Sequence, residues 1–262
     1  MLLTYRALDF SPSTHDALPR GTPTLVLCHG LTGGSHESYV RNVVAWAIKP
    51  VKQGGLGARA IVVNVSPHLE FYLFLIIQFR GCAGTPVTSP QLYSAGTTVD
   101  LAHALHYLRY TYPESPLHGI GFSLGASVLA RYLGESSSKS LLSSGMVLGC
   151  PWDLTTMTQK LETEFVARTV YSRAMALNLL RMFLGHHDRD HTIFEREDSN
   201  ARPYLGEMRK LQKKWGVTLK QVDNVMVSKI GGPPGEDMWP FKGADEYYAW
   251  ACPKHFITSV DR

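Results

Sequence analysis

Residues 121–125 read Gly121-Phe122-Ser123-Leu124-Gly125, a G-x-S-x-G pentapeptide between an apolar run and an Ala/Leu-rich run. Its context decides the fold more than the pentapeptide itself. Leu117 to Gly121 reads as a short strand, and Ala126 to Leu133 alternates small and branched apolar residues at helical spacing around Arg131. A strand that turns sharply into a helix needs small residues on both sides of the turn. Gly121 and Gly125 supply them, letting a strained Ser123 lift its hydroxyl above the sheet edge. The serine also opens a helix, where unpaired N–H groups favour a developing negative charge. The competing reading of this segment alone is a Gly/Ser turn leading into an ordinary helix.

Upstream, Thr24 to Cys28 (TLVLC) is a compact apolar strand that runs straight into His29-Gly30-Leu31-Thr32-Gly33-Gly34-Ser35. A His-Gly loop after such a strand is placed to provide a second oxyanion donor. The N–H groups of Leu31 and of Leu124, just after the serine, would converge on an acyl oxygen. Donors aimed at a tetrahedral intermediate contribute about 3 to 4 kcal/mol each. His29 itself reads as a residue that shapes the loop through its ring rather than as a base.

Length and composition set the bounds. With 262 residues, 44% apolar content and 18% charge, the chain has ample material for one core plus an insertion. A net charge of +4, unclustered, argues against nucleic acid. Cys28, Cys82, Cys150 and Cys252 are far apart in sequence and read as reduced thiols rather than a disulfide framework or zinc site. No signal peptide and no membrane-spanning run is visible, which reads as an intracellular, cytoplasmic or lipid-associated location.

Along the chain, strands alternate with helices. His36 to Lys49 reads as a helix whose apolar face includes Val40, Val43, Val44 and Trp46 to Ile48; Ala58 to Asn64 reads as a parallel strand. Thr98 to Tyr110 reads as a helix and Gly145 to Gly149 as the start of another strand, together giving a doubly wound parallel sheet. From Thr155 to Trp239 the strand pattern gives way to helices, notably Phe165 to Leu184 and Met208 to Gln221. This insertion reads as a cap lying over the nucleophile. Met175, Leu179, Leu180, Met182 and Phe183 line an acyl channel on one reading and form plain core on the other. His186 to His191 (HHDRDH) raises a metal site through His187, His191 and Asp188 or Asp190, against the reading of a solvated helix end. Arg189 opposes a dication, and no metal is expected.

Three stretches, in this order, carry a family resemblance: HGLTGGSHESYVR (His29 to Arg41), FRGCAGTPVTSPQLYSAGTTVDL (Phe79 to Leu101) and GIGFSLGASVLARYLGE (Gly119 to Glu135). They resemble the serine α/β-hydrolases of the AB hydrolase 4 type, which include fungal monoacylglycerol lipases and medium-chain fatty-acid ethyl ester synthase/esterases. The resemblance runs along most of the chain, including Phe241 to Ala251. It implies an α/β-hydrolase fold with a helical cap, the core taking 1–154, the cap 155–240 and the returning core 241–262. It further implies a serine carboxylic-ester hydrolase or acyltransferase, with Ser123 as nucleophile and no cofactor. The implied substrate is a small acyl ester, with an alcohol or acyl-CoA as co-substrate and peripheral contact with a membrane or lipid droplet. The alternative is a catalytically impaired hydrolase-fold protein that binds lipid or a partner.

Two departures stand out. Val65 to Gln78 interrupts a junction that the family passes directly, and it reads as a retained in-frame intron whose Phe71 to Ile77 is itself strand-like. The family's acid and histidine loops follow a late strand, whereas this sequence reaches Thr258 to Arg262 where that strand should begin. The fold is therefore expected truncated at its C-terminal end, leaving a sheet edge unpaired. Asp153 reads as a helix cap and His255 as part of a helical approach, so neither matches the family's triad partners.

Overall fold

The computed structural model describes residues 8–63, 80–84, 87, 89–232 and 239–260. Val65 to Gln78, with the strand expected at 71–77, lies outside the described residues. Two packing units divide the chain. The described residues of the sheet unit fall within Arg6–Ala83, Thr98–Trp152 and Pro253–Arg262; those of the helical unit fall within Gly84–Thr97 and Asp153–Cys252.

In the sheet unit, β1 (Leu8–Ser11), β2 (Thr24–Cys28), β3 (Arg59–Val63), β4 (Leu117–Phe122) and β5 (Ser144–Leu148) form one sheet in the order β1-β3-β2-β4-β5. Strands β2 to β5 are parallel and β1 runs antiparallel on β3. All five residues of β2 are buried, as an apolar run in a sheet covered on both faces should be. The helix α1 (Ser38–Ile48) packs Val40 and Ala47 onto Leu25, Leu27, Ala60 and Val62. Trp46 departs from the expected apolar face: it is exposed and its indole N–H donates to the Gly54 carbonyl. At about 100° per residue it falls some 120° away from Val40, so the core stripe passes it by. The sheet unit also holds α2 (Val99–Thr111) and α3 (Leu124–Ser136). β5 is an outer strand and leaves Met146 and Leu148 exposed.

The helical unit comprises α4 (Leu154–Thr163), a π-helical turn at Ala167–Ser172, α5 (Arg173–Arg189), α6 (His191–Glu195), α7 (Leu205–Lys213), α8 (Leu219–Val225), α9 (Val227–Ile230) and α10 (Ala244–Ala251). The helix expected over Met208 to Gln221 is two helices. Gly216 takes φ +69° between them, and the Thr218 hydroxyl accepts from the Gln221 N–H to start α8. Leu179, Leu180 and Phe183 are plain core, with the Phe183 ring 4.6 Å from that of Phe194 and tilted 56° to it. The segment expected to open the returning core packs with these helices, since the Tyr248 hydroxyl donates to Asp223 and the Tyr247 hydroxyl accepts from the Ala95 N–H. Among the described residues, no helix is long and apolar enough to cross a membrane.

Candidate active site

β4 delivers the chain to Ser123, whose N–H donates to the Leu148 carbonyl of β5 at 2.9 Å. Ser123 then takes φ +51° and ψ −116°, and Leu124 begins α3. A non-glycine residue there carries strain of roughly 1 to 3 kcal/mol, which surrounding structure must hold in place. The two flanking glycines are what permits it. A Cβ on Gly121 would lie 2.6 Å from the Ala126 Cα, and one on Gly125 would lie 2.3 Å from the Cys28 carbonyl oxygen and 2.4 Å from that of His29. Backbone atoms cannot swing aside as side chains do. Gly125→Ala is accordingly expected to destabilise the chain by about 2 to 3 kcal/mol, read from a denaturant midpoint. A loss below about 0.5 kcal/mol, the ordinary range for surface changes, would mean that the elbow is looser than described.

The loop after β2 closes against the same serine. A Cβ on Gly30 would sit 3.5 Å from the Ser123 Cβ. The Gly33 N–H donates back to the Gly30 carbonyl, and Thr32 takes φ +54°, so the loop turns tightly at Leu31. The His29 ring is buried and bonds the Gly30 carbonyl through Nδ1 at 2.8 Å. Burial pulls its pKa down to about 4, so the ring is neutral near pH 7 and acts in the loop's shape. Tyr39 is a residue the sequence did not flag: its hydroxyl accepts the Gly30 N–H at 3.0 Å, and its ring packs on Phe122. Ser123 is exposed, and its hydroxyl makes no hydrogen bond among the described residues. Leu124, as the first residue of α3, has an N–H with no partner inside that helix.

The other candidates fall elsewhere. Asp153 caps α4, accepting from the Thr156 N–H at 2.9 Å. His255 is exposed, and the adjacent Phe256 packs beneath Arg131 and against the backbone of Gly134. Gly134 lies roughly 15 Å along α3 from Leu124 at 1.5 Å per residue. In the helical unit His187, His191 and Glu195 bring donor atoms within 4.8 Å of one another. Arg209 approaches His187 Nδ1 at 3.2 Å and can only donate, so Nδ1 accepts and Nε2–H donates to Glu195 at 3.1 Å. A metal on Nε2 would require a proton on Nδ1, facing those guanidinium donors. The donor set fits a hydrogen-bonded brace between α5, α6 and α7 rather than a dication.

A serine strained between a parallel strand and a helix, beneath a loop from the adjacent strand, defines the nucleophile-elbow class of α/β protein. The chain belongs to the α/β hydrolase family, whose sequence model matches residues 25–256. It is 32% identical over 228 residues to a monoacylglycerol lipase of Saccharomyces cerevisiae, covering 86% of this chain and 42% of that one. It is 35% identical over 169 residues to the embryogenesis-associated protein EMB8 of Picea glauca, covering 64% and 33%. A third relative, medium-chain fatty acid ethyl ester synthase/esterase 2 of Saccharomyces cerevisiae, is 32% identical over 159 residues, covering 61% and 33%. The chain spans half or less of the length of these curated relatives.

Proposed function

We propose that Ser123 is the nucleophile of a serine carboxylic-ester hydrolase of lipid metabolism, one that takes monoacylglycerols or medium-chain fatty-acid esters through an acyl-Ser123 intermediate. The observation that carries this reading is the strained, exposed Ser123 with the Gly30–Leu31 loop closed against it. In the mechanism, Ser123 attacks the ester carbonyl as a His-type base takes its proton. The N–H groups of Leu31 and Leu124 hold the oxyanion, and water or an alcohol then resolves the acyl-enzyme. Hydrolysis and acyl transfer share that intermediate, in keeping with relatives named for a lipase and for an ester synthase/esterase.

A second reading, a hydrolase-fold protein that binds lipid without turning it over, draws on one observation: no described residue hydrogen-bonds the Ser123 hydroxyl. A fluorophosphonate probe separates the two. A form supplied with the acid and histidine loops that the resemblance implies should label rapidly at Ser123, mapped by peptide mass, and Ser123→Ala should abolish labelling. An unlabelled Ser123 in that form would favour the binding reading, because an unassisted serine is a weak nucleophile.

A further inference from the structure

On the helical unit, the residues between α4 and α5 and the turn between α7 and α8 enclose a recess of about 400 Å³. Three cations line it, Arg168, Arg173 and Lys214. Among the described residues neither guanidinium has a carboxylate within ion-pairing distance or any hydrogen bond, and the Arg173 Nε is buried without an acceptor. Among the described residues, the Lys214 ammonium bonds only the neutral Gln221 side chain. Gathering like charges without a counterion is unfavourable unless an anion completes the set.

The rim of the recess has a second character. Phe165 is 80% exposed and Trp215 is 85% exposed, and both line it. Val166, Val170 and Tyr171 stand exposed within the same short stretch. Apolar groups concentrated this way on a surface mark an interaction site. Unpaired cations beside exposed Trp, Tyr and Phe match the boundary of an anionic bilayer, where phosphates meet the first acyl carbons. A soluble phosphate would satisfy the cations but leave the rings in water.

We propose that this face docks on a bilayer containing anionic phospholipid, the recess closing around a headgroup phosphate while Phe165 and Trp215 enter the acyl boundary. The inference goes beyond the esterase reading and stands without it, because no residue of the recess belongs to the elbow.

The test is co-sedimentation of the chain with phosphatidylcholine vesicles made with and without phosphatidylserine. Binding is expected to favour the anionic vesicles and to fall with added salt. Arg168→Gln with Arg173→Gln should weaken it roughly 30-fold, at about fivefold per cation. Arg168→Lys with Arg173→Lys should retain it, which separates charge from folding. Phe165→Ser with Trp215→Ser should weaken binding to either vesicle by about tenfold or more. Ser123→Ala should bind as the parent does, so failure here and failure of the esterase reading are told apart. Equal binding to both vesicle types would overturn the proposal. So would binding of soluble glycerophosphate without vesicle binding, or a concentration-dependent dimer that the Trp215 variant abolishes while vesicles are ignored.

Discussion

Turnover of p-nitrophenyl esters and monoacylglycerols by the 262-residue chain alone is expected to exceed the reaction in water by only about 10³- to 10⁴-fold. That is the residue of catalysis left when an oxyanion hole and binding act without a working triad. The reason lies at Ser123. Its hydroxyl has no hydrogen-bonded base among the described residues, His29 is held neutral with a pKa near 4 in the loop, and Asp153 is committed to capping α4. A form supplied with the acid and histidine loops that the family resemblance implies should hydrolyse medium-chain esters far faster, and its Ser123→Ala variant should lose that activity. Steady-state kinetics on the two forms decide it. Vigorous, Ser123-dependent turnover by the 262-residue chain would refute the expectation and make His29 the residue to examine next.

The second large effect is on stability. Asp223 of α8 is buried, and burial raises its pKa to about 7 against the hydrogen bond it accepts from Tyr248 at 2.6 Å. Between pH 4 and 7 the folded chain keeps a proton on Asp223 that the unfolded chain has released. Stability from this group therefore falls as pH rises through that window and levels off above about 7. The displacement from 3.8 to about 7 corresponds to roughly 4 kcal/mol at 1.36 kcal/mol per tenfold. Asp223→Asn keeps an acceptor for Tyr248 and cannot ionise. Its stability relative to the parent is expected to rise by roughly that amount between pH 4 and 8, followed by urea unfolding. A variant-minus-parent difference that stays flat with pH would show that Asp223 ionises normally in the folded chain.

Local and non-local information divide cleanly in this molecule. The elbow was legible because its cause is local: Gly121, Ser123 and Gly125 are consecutive parts of one turn, and the apolar runs on either side can only be strand and helix. The loop at Leu31 was legible for the same reason, lying directly after an apolar strand. The break at Gly216 was present in the sequence as a glycine inside a helical pattern, but cationic periodicity on both sides masked it. Trp46 was misplaced because an apolar residue off the core stripe looks the same in sequence as one on it.

The sequence by itself determined the strand-turn-helix at Ser123, the apolar strand and loop that meet it, and the mainly helical character of the described residues 155–232, since each follows from residue types within one or two turns of chain. Only the tertiary structure decided which partners those groups meet. Tyr39 reaches back to the Gly30 N–H, Tyr248 pairs with Asp223, and Arg209 faces the His187 nitrogen that would have to carry the proton if a metal sat on the other. Such pairings join residues 9 to 25 positions apart along the chain, and no periodicity encodes them. Packing geometry alone turns two distant polar side chains into a hydrogen bond, and a buried carboxyl into a group that keeps its proton.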